Sequence, residues 1–205
     1  MEGKVILLTG APATGKSTLA KILEENIDPL RRVSFGQLLF EYKRKTIPEL
    51  TYEDLRAKSA QIVSSKDVAA LDTILVDKVK EWRKETNIVI DSHAVTKESY
   101  GFRVTSFSYQ LITELNLDAV IVLNSSSDEI LRRIEHSSDG RSKVKSEEIN
   151  HHMHLQESLA LMYGILCGCP TYVIDSGDSP HSLANTTTEL LLKLGMFVVH
   201  NNLSN

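Results

Sequence analysis

The chain has 205 residues, 41% of them hydrophobic, which suits one domain, or one α/β domain carrying inserts, with ample length to bury a core. Its 23 Lys and Arg against 27 Asp and Glu leave a net charge of -4, which excludes a polycation that holds nucleic acid by phosphate neutralisation alone. No stretch approaches membrane-spanning length, and the apolar start at 5–8 is too short for a signal-peptide core, so a soluble, cytoplasmic protein without membrane or nucleic-acid partners is expected.

Residues 5–9 read as a buried strand and 16–25 as a helix with Leu19, Ile22 and Leu23 facing inward, a first β-loop-α unit. A short apolar run at 32–34 adds a second strand. From 36 to 86 the pattern turns helical for about fifty residues, the mark of a helical insert. Pro48 interrupts it, and Thr51 followed by Asp54 makes an N-cap with an acidic first turn, so three helices are expected there. Within the insert, "EYKRKT" at 41–46 reads as an exposed helix end, and Trp82 falls on a packed helical face.

Further strands are expected at 88–90, 119–123 and 171–174, with helices at 109–115, 128–134, 146–166 and 182–194 between and after them. This alternation implies a parallel sheet with crossover helices. "SSDGRSKVKS" at 137–146 is polar, glycine-containing and basic, the composition of a mobile loop that could serve as a short lid. In "NHHMH" only His151 and His154 share a helical face, so a solvated face explains His151, His152 and His154 better than a metal site. Tyr163 reads as packing, and Cys167 and Cys169 as reduced structural thiols, with no second pair to complete a zinc site. The tail "MFVVHNNLSN" fits an edge strand, a packed tail or a subunit contact.

Gly10, Ala11, Pro12, Ala13, Thr14, Gly15, Lys16 and Ser17 satisfy G-x-x-x-x-G-K-[ST] between a buried strand and a helix, where the chemistry needs it. Glycines let backbone amides converge on phosphate oxygens, and the N-terminus of the following helix adds a favourable dipole. Lys16 then neutralises the β- and γ-phosphates of ATP, and the Ser17 hydroxyl can ligate Mg²⁺. Asp91, directly after the run at 88–90, is the candidate acid for the same ion.

These residues resemble the phosphate loop of adenylate kinases and related nucleoside monophosphate kinases, with Pro12 at the characteristic proline. "VSFGQLLFE" at 33–41, "VIDSH" at 89–93, "DEILRRI" at 128–134 and "LMYGILCG" at 161–168 look most like the archaeal-type adenylate kinases, in the same order and at comparable spacing. The resemblance implies a single α/β P-loop NTPase domain over 1–205. It would be a three-layer sandwich with a five-stranded parallel sheet of order 2-3-1-4-5, an acceptor-nucleotide insert at 36–86 and a short lid at 137–146. It implies transfer from ATP, with Mg²⁺, to a nucleoside monophosphate, foremost AMP, and self-association as a trimer.

By the same likeness the ATP loop extends to Thr18, and Arg132 or Arg133 lies over the donor base, which Asp175 and Gly177 border. Ser34 and Gly36 face the acceptor, His93 lies beside its phosphate, Asp91 organises Mg²⁺ through water, and Arg141 reaches the transferring group from the lid.

The departures from that pattern carry information too. Ala13 stands where the family usually has glycine, so a positive φ would be uncomfortable there. The acceptor turn lacks an arginine soon after Gly36, a trait shared with archaeal-type members, and Arg141 is followed by Lys143 where a second arginine is usual. Arg103 reads either as a clamp on the acceptor phosphate, a catalytic role beside Lys16, Asp91 and Arg141, or as half of a surface ion pair. Two other readings stay open. One is a small P-loop kinase acting on an alcohol or a nucleic-acid 5'-end, with His93 as base; the other is a nucleotide-binding regulator with weak ATPase activity.

Overall fold

The computed structural model describes residues 2–136 and 144–196. Strand β1 (Val5–Gly10) runs through the centre of a five-stranded parallel sheet with β2 (Leu30–Ser34), β3 (Asn87–Asp91), β6 (Ala119–Asn124) and β7 (Thr171–Asp175). The spatial order is β2-β3-β1-β6-β7, so these five strands taken alone run 2-3-1-4-5 as expected. The numbering shifts because of a separate antiparallel hairpin, β4 (Val95–Glu98) and β5 (Gly101–Val104), that the sequence reading did not foresee.

Strand periodicity explains the layers. In β1, Val5 and Leu7 point to one side of the sheet, where Leu75, Val79, Ile112, Ala160 and Tyr163 are buried against them. Ile6 and Leu8 point to the other, against Leu19, Leu23, Leu183 and Leu191. The first face is therefore covered by α5 (Ser65–Trp82), α6 (Tyr109–Glu114) and α8 (Ser146–Cys167), and the second by α1 (Lys16–Asn26) and α9 (Pro180–Lys193). A strand buried on both faces must read as a continuous apolar run, and every residue of β1 is buried.

The insert holds four helices among the described residues rather than three: α2 (Phe35–Arg44), α3 (Tyr52–Ala57), α4 (Ser59–Ile62) and α5. Pro48 lies between α2 and α3, and the Thr51 hydroxyl caps α3 by accepting from the Asp54 amide at 3.1 Å. Ser64 and Asp67 close a reciprocal capping box on α5, with Asp67 N donating to Ser64 Oγ at 3.2 Å and Ser64 N donating to Asp67 Oδ2 at 2.8 Å. The remaining helix, α7 (Ser127–Glu135), follows β6. Most of 137–146, including Arg141 and Lys143, and the tail beyond Met196 lie outside the described residues. Among the described residues no helix is long and apolar enough to cross a membrane.

His152 corrects one expectation. His151 and His154 are exposed, but His152 is buried in α8, with Nε2 3.0 Å from the Val95 carbonyl of the hairpin. A ring nitrogen facing a carbonyl must carry the proton, and burial pushes the His152 pKa below the ordinary histidine value, so the ring is neutral with its hydrogen on Nε2. One turn on, Gln156 accepts from the Val95 amide at 3.3 Å and donates to Thr9 Oγ1 at 2.8 Å. Helix α8 thus pins the hairpin to the sheet beside the phosphate loop.

Candidate functional site

Gly10, Asp91 and Ser34 are the last residues of β1, β3 and β2, and Ser176 follows the last residue of β7, so the site gathers at the carboxyl ends of the parallel strands. Register puts Asp91 level with both Leu8 and Ser34.

The phosphate loop has the backbone its glycines allow. Gly10 has φ +148°, and a Cβ there would meet the Leu123 carbonyl at 2.7 Å, so no other residue fits. Gly15, at φ 90°, turns the chain into α1, where the Leu19 amide makes the first helical bond to its carbonyl at 2.9 Å. Ala13 sits at φ 66°, the left-handed conformation the sequence reading identified as uncomfortable for this residue. Thr14 Oγ1 donates to the Ala11 carbonyl at 2.8 Å. Lys16 is buried, and its ammonium donates to the carbonyls of Gly10 at 2.7 Å and Ala11 at 2.9 Å, clasping the loop from inside. The Ser17 hydroxyl donates to Asp91 Oδ2 at 3.1 Å. Two hard oxygen donors, a hydroxyl and a buried carboxylate, therefore meet at the helix start, a donor set that suits Mg²⁺.

The two arginines of α7 differ in placement. Arg132 forks onto Glu129 through two bonds of 2.8 Å and is largely exposed. Arg133 donates from Nε to Glu129 at 2.7 Å, from Nη1 to the Ala13 carbonyl at 3.3 Å and from Nη2 to the Ser176 carbonyl. It ties the phosphate loop to the end of β7. The guanidiniums of Arg132 and Arg133 hold the Glu129 pKa down at about 2.

Loop, arginines, insert and hairpin border one continuous cleft of about 2150 Å³. A pocket for a single small ligand measures roughly 300–1,000 Å³, so this one has room for two nucleotides. Ala11, Pro12, Thr18, Ser34, Gly36 and His93 all border it, with the Ser34 hydroxyl capping α2 through the Gln37 amide at 3.3 Å. A Cβ on Gly36 would stand 3.0 Å from the Tyr52 hydroxyl, so glycine lets α2 and α3 approach here. Arg103 borders the cleft from β5 and pairs with Glu98 across the hairpin at 3.3 Å, so the ion-pair reading holds while the side chain still faces the cavity. Gly177 reaches the cleft wall, whereas Asp175 is turned to its own loop, accepting from the Gly177 amide at 2.8 Å, and is not part of the wall. Arg141 lies outside the described residues.

Some wall residues escaped the sequence reading. Phe35 packs edge-on against Phe107 with ring centroids 5.5 Å apart, and Tyr52 meets Phe40, which is not itself part of the wall, in the same way at 5.4 Å. Asp72 is another, a carboxylate only 3% exposed, whose neighbours in α5 include buried Leu71, Leu75 and Val76. Its signal was present in the sequence: it occupies a position of the apolar stripe 68, 71, 72, 75, 76, 79, where a charge breaks the pattern.

The AAA domain family (AAA_17) matches residues 9–150. The adenylate kinase of Methanocaldococcus jannaschii is 26% identical over 184 residues, covering 87% of this chain and 92% of its own. That of Pyrococcus furiosus is 26% identical over 196 residues, covering 95% of this chain and 96% of its own. Among solved structures, shikimate kinase from Bacteroides thetaiotaomicron aligns with a TM-score of 0.52 at 17% identity, over 92% of this chain and 98% of its own, a likeness of fold alone. The family match spans the phosphate loop, the insert, Asp91 and α7, and the archaeal relatives extend it through α8 and β7; the chain belongs to the AAA domain family and is a relative of the archaeal-type adenylate kinases.

Proposed function

We propose that the protein is a P-loop kinase that transfers the γ-phosphoryl group of ATP to a nucleoside monophosphate, foremost AMP, giving two ADP. The observation that carries this reading is a complete phosphate loop opening into a cleft with room for a second nucleotide, walled on the far side by the helical insert. The archaeal relatives, each named adenylate kinase, support it.

The chemistry needs alignment and charge neutralisation more than proton transfer. An oxygen of the acceptor monophosphate attacks the γ-phosphorus, the bond from that phosphorus to the β–γ bridging oxygen breaks, and the electron pair leaves on the β-phosphate of ADP. Since the attacking oxygen is already anionic near neutral pH, no side chain has to remove a proton. The Lys16 ammonium exchanges its two loop carbonyls for β- and γ-phosphate oxygens, while the backbone amides of the loop hold the β-phosphate. Ser17 directly, and Asp91 through water, would hold Mg²⁺, which when bound neutralises charge on the β- and γ-phosphate oxygens. Ser34, Gly36 and His93 are assigned to the acceptor side, with Arg103 facing its phosphate across the cleft.

Self-association belongs to the same proposal. Leu161, Met162 and Ile165 leave one side of α8 apolar and exposed, and Val173 is exposed on the edge strand β7, apolar surface that a second copy would cover.

ADP formation measured with ATP and each of AMP, CMP, GMP and UMP, against ATP hydrolysis without acceptor, tests the reading. Fast AMP-dependent ADP formation, abolished in Lys16→Ala with the fold retained, is expected. Hydrolysis indifferent to acceptor, or transfer only to an alcohol, overturns it.

A further inference from the structure

Asp72 is a buried charge on the cleft wall that the phosphoryl-transfer machinery does not use. It sits on the inward stripe of α5, 3% exposed, and borders the cleft on the insert side, together with Phe35, Tyr52, Val68 and Phe107. Its Oδ1 is fully buried and has no hydrogen-bond partner among the described residues. Burial pushes its pKa up to about 6, and among the described residues no cation offsets the cost of the charge. The carboxylate is still mostly ionised at neutral pH, when its oxygens can only accept hydrogen bonds. An ionisable neighbour from another element is Tyr163 of α8, whose phenol accepts from the Phe107 amide at 3.0 Å and whose pKa is pushed up by burial and, in smaller part, by the Asp72 charge.

A buried acceptor without a donor is costly unless a ligand brings one. This end of the cleft repels phosphate, while Lys16 and Arg103 attract it elsewhere along the same cavity. A monophosphate therefore enters with its phosphate toward the loop and its base between the aromatic rings at the Asp72 end. We infer that Asp72 reads the acceptor base, its buried carboxylate accepting from an exocyclic amine, which for AMP is the 6-amino group of adenine. This inference rests on the acceptor being a nucleoside monophosphate, and it adds the residue that selects among bases.

The probe is purine riboside 5'-monophosphate, which matches AMP in shape and lacks only the 6-amino group. Equilibrium binding of both compounds, and kcat/KM for both with ATP, are measured for the wild-type protein, Asp72→Asn and Asp72→Leu. A site built to pair with a donor should prefer AMP by about 10- to 100-fold, the worth of one hydrogen bond to a charged group. Asp72→Asn, which keeps one acceptor oxygen, should retain part of that preference. Asp72→Leu should bring the ratio close to one, with the KM for ATP and the thermal transition showing an intact fold.

An unchanged AMP preference in a folded Asp72→Leu protein overturns the inference, as does failure of the wild-type protein to bind either monophosphate. If AMP binds with a preference that depends on Asp72 but is not phosphorylated, the inference stands and the kinase reading fails. If GMP, with its N1–H and 2-amino donors, binds tightest and loses its advantage in Asp72→Leu, base reading by Asp72 stands and the assignment of AMP as acceptor fails.

Discussion

Ala13 places a Cβ in the left-handed region at φ 66°, where an L-residue other than glycine is strained by about 1–2 kcal/mol. Replacing it with glycine relieves that strain and gives back roughly half through a more flexible unfolded chain. Ala13→Gly is therefore expected to raise stability by about 0.5–1 kcal/mol in denaturant titration, and a loss of stability would show that the methyl group packs usefully against α7. Asp72 makes the opposite bargain. Burial raises its folded-state pKa from 3.8 to about 6, so the native chain holds an extra proton between those values. The stability linked to that proton is fully present below the unfolded pKa and is lost as pH rises through about 6. Asp72→Asn should accordingly stabilise the protein at about pH 8 by on the order of 1–3 kcal/mol, an advantage that fades toward about pH 4. Melting curves across that range check it, and a pH-independent difference would mean the charge is not the cause.

Between elements, the hairpin is held less by its own pairing than by α8. Each strand has four residues, and the turn passes through Gly101 at φ 138°. Two-stranded ribbons of this size are marginal alone. Gln156→Leu leaves the Val95 amide and the Thr9 hydroxyl without their partner, at a cost of about 1–3 kcal/mol for each group left unsatisfied. The expected result is faster amide exchange confined to the hairpin and the end of β1, with the sheet core unchanged; uniform destabilisation would mean that Gln156 serves general packing. The same hairpin shows where sequence legibility ends. Strands buried on both faces, such as 119–123, announce themselves as apolar runs. "AVTKESYGFRV" is half polar, because one side of the ribbon faces the cleft, and its partner α8 lies some fifty residues further on. The start of α9 was also missed by two residues, because Pro180 at the first turn, behind a Ser179 cap, reads as a breaker before it reads as a starter.

For the whole molecule, the phosphate loop is local and the proposed acceptor side of the cleft is not. Gly10 through Ser17, with Asp91 one strand away, were readable because a single strand–loop–helix unit carries nearly all the geometry. Phe35, Tyr52, Asp72 and Phe107 come from four separate segments and meet only once α5 has packed on the sheet and the hairpin has closed the far side. The parallel sheet followed from alternation and its strand order from the resemblance, whereas the wall of the cleft needed the packing itself.

Arg132 and Arg133 are neighbours in one helix, equal in charge and alike in any sequence. Arg133 commits three nitrogens to three acceptors on α7, the phosphate loop and the end of β7, and a lysine, with one ammonium on a flexible stem, cannot span them. Arg133→Lys should behave almost as a deletion, loosening the loop and raising the KM for ATP several-fold, while Arg132→Lys should leave both KM and melting temperature nearly unchanged; equal effects would refute the distinction. Over generations the two positions ought therefore to drift at different rates: one codon free to wander between basic residues, the other held in place by geometry although its charge alone would be easy to replace.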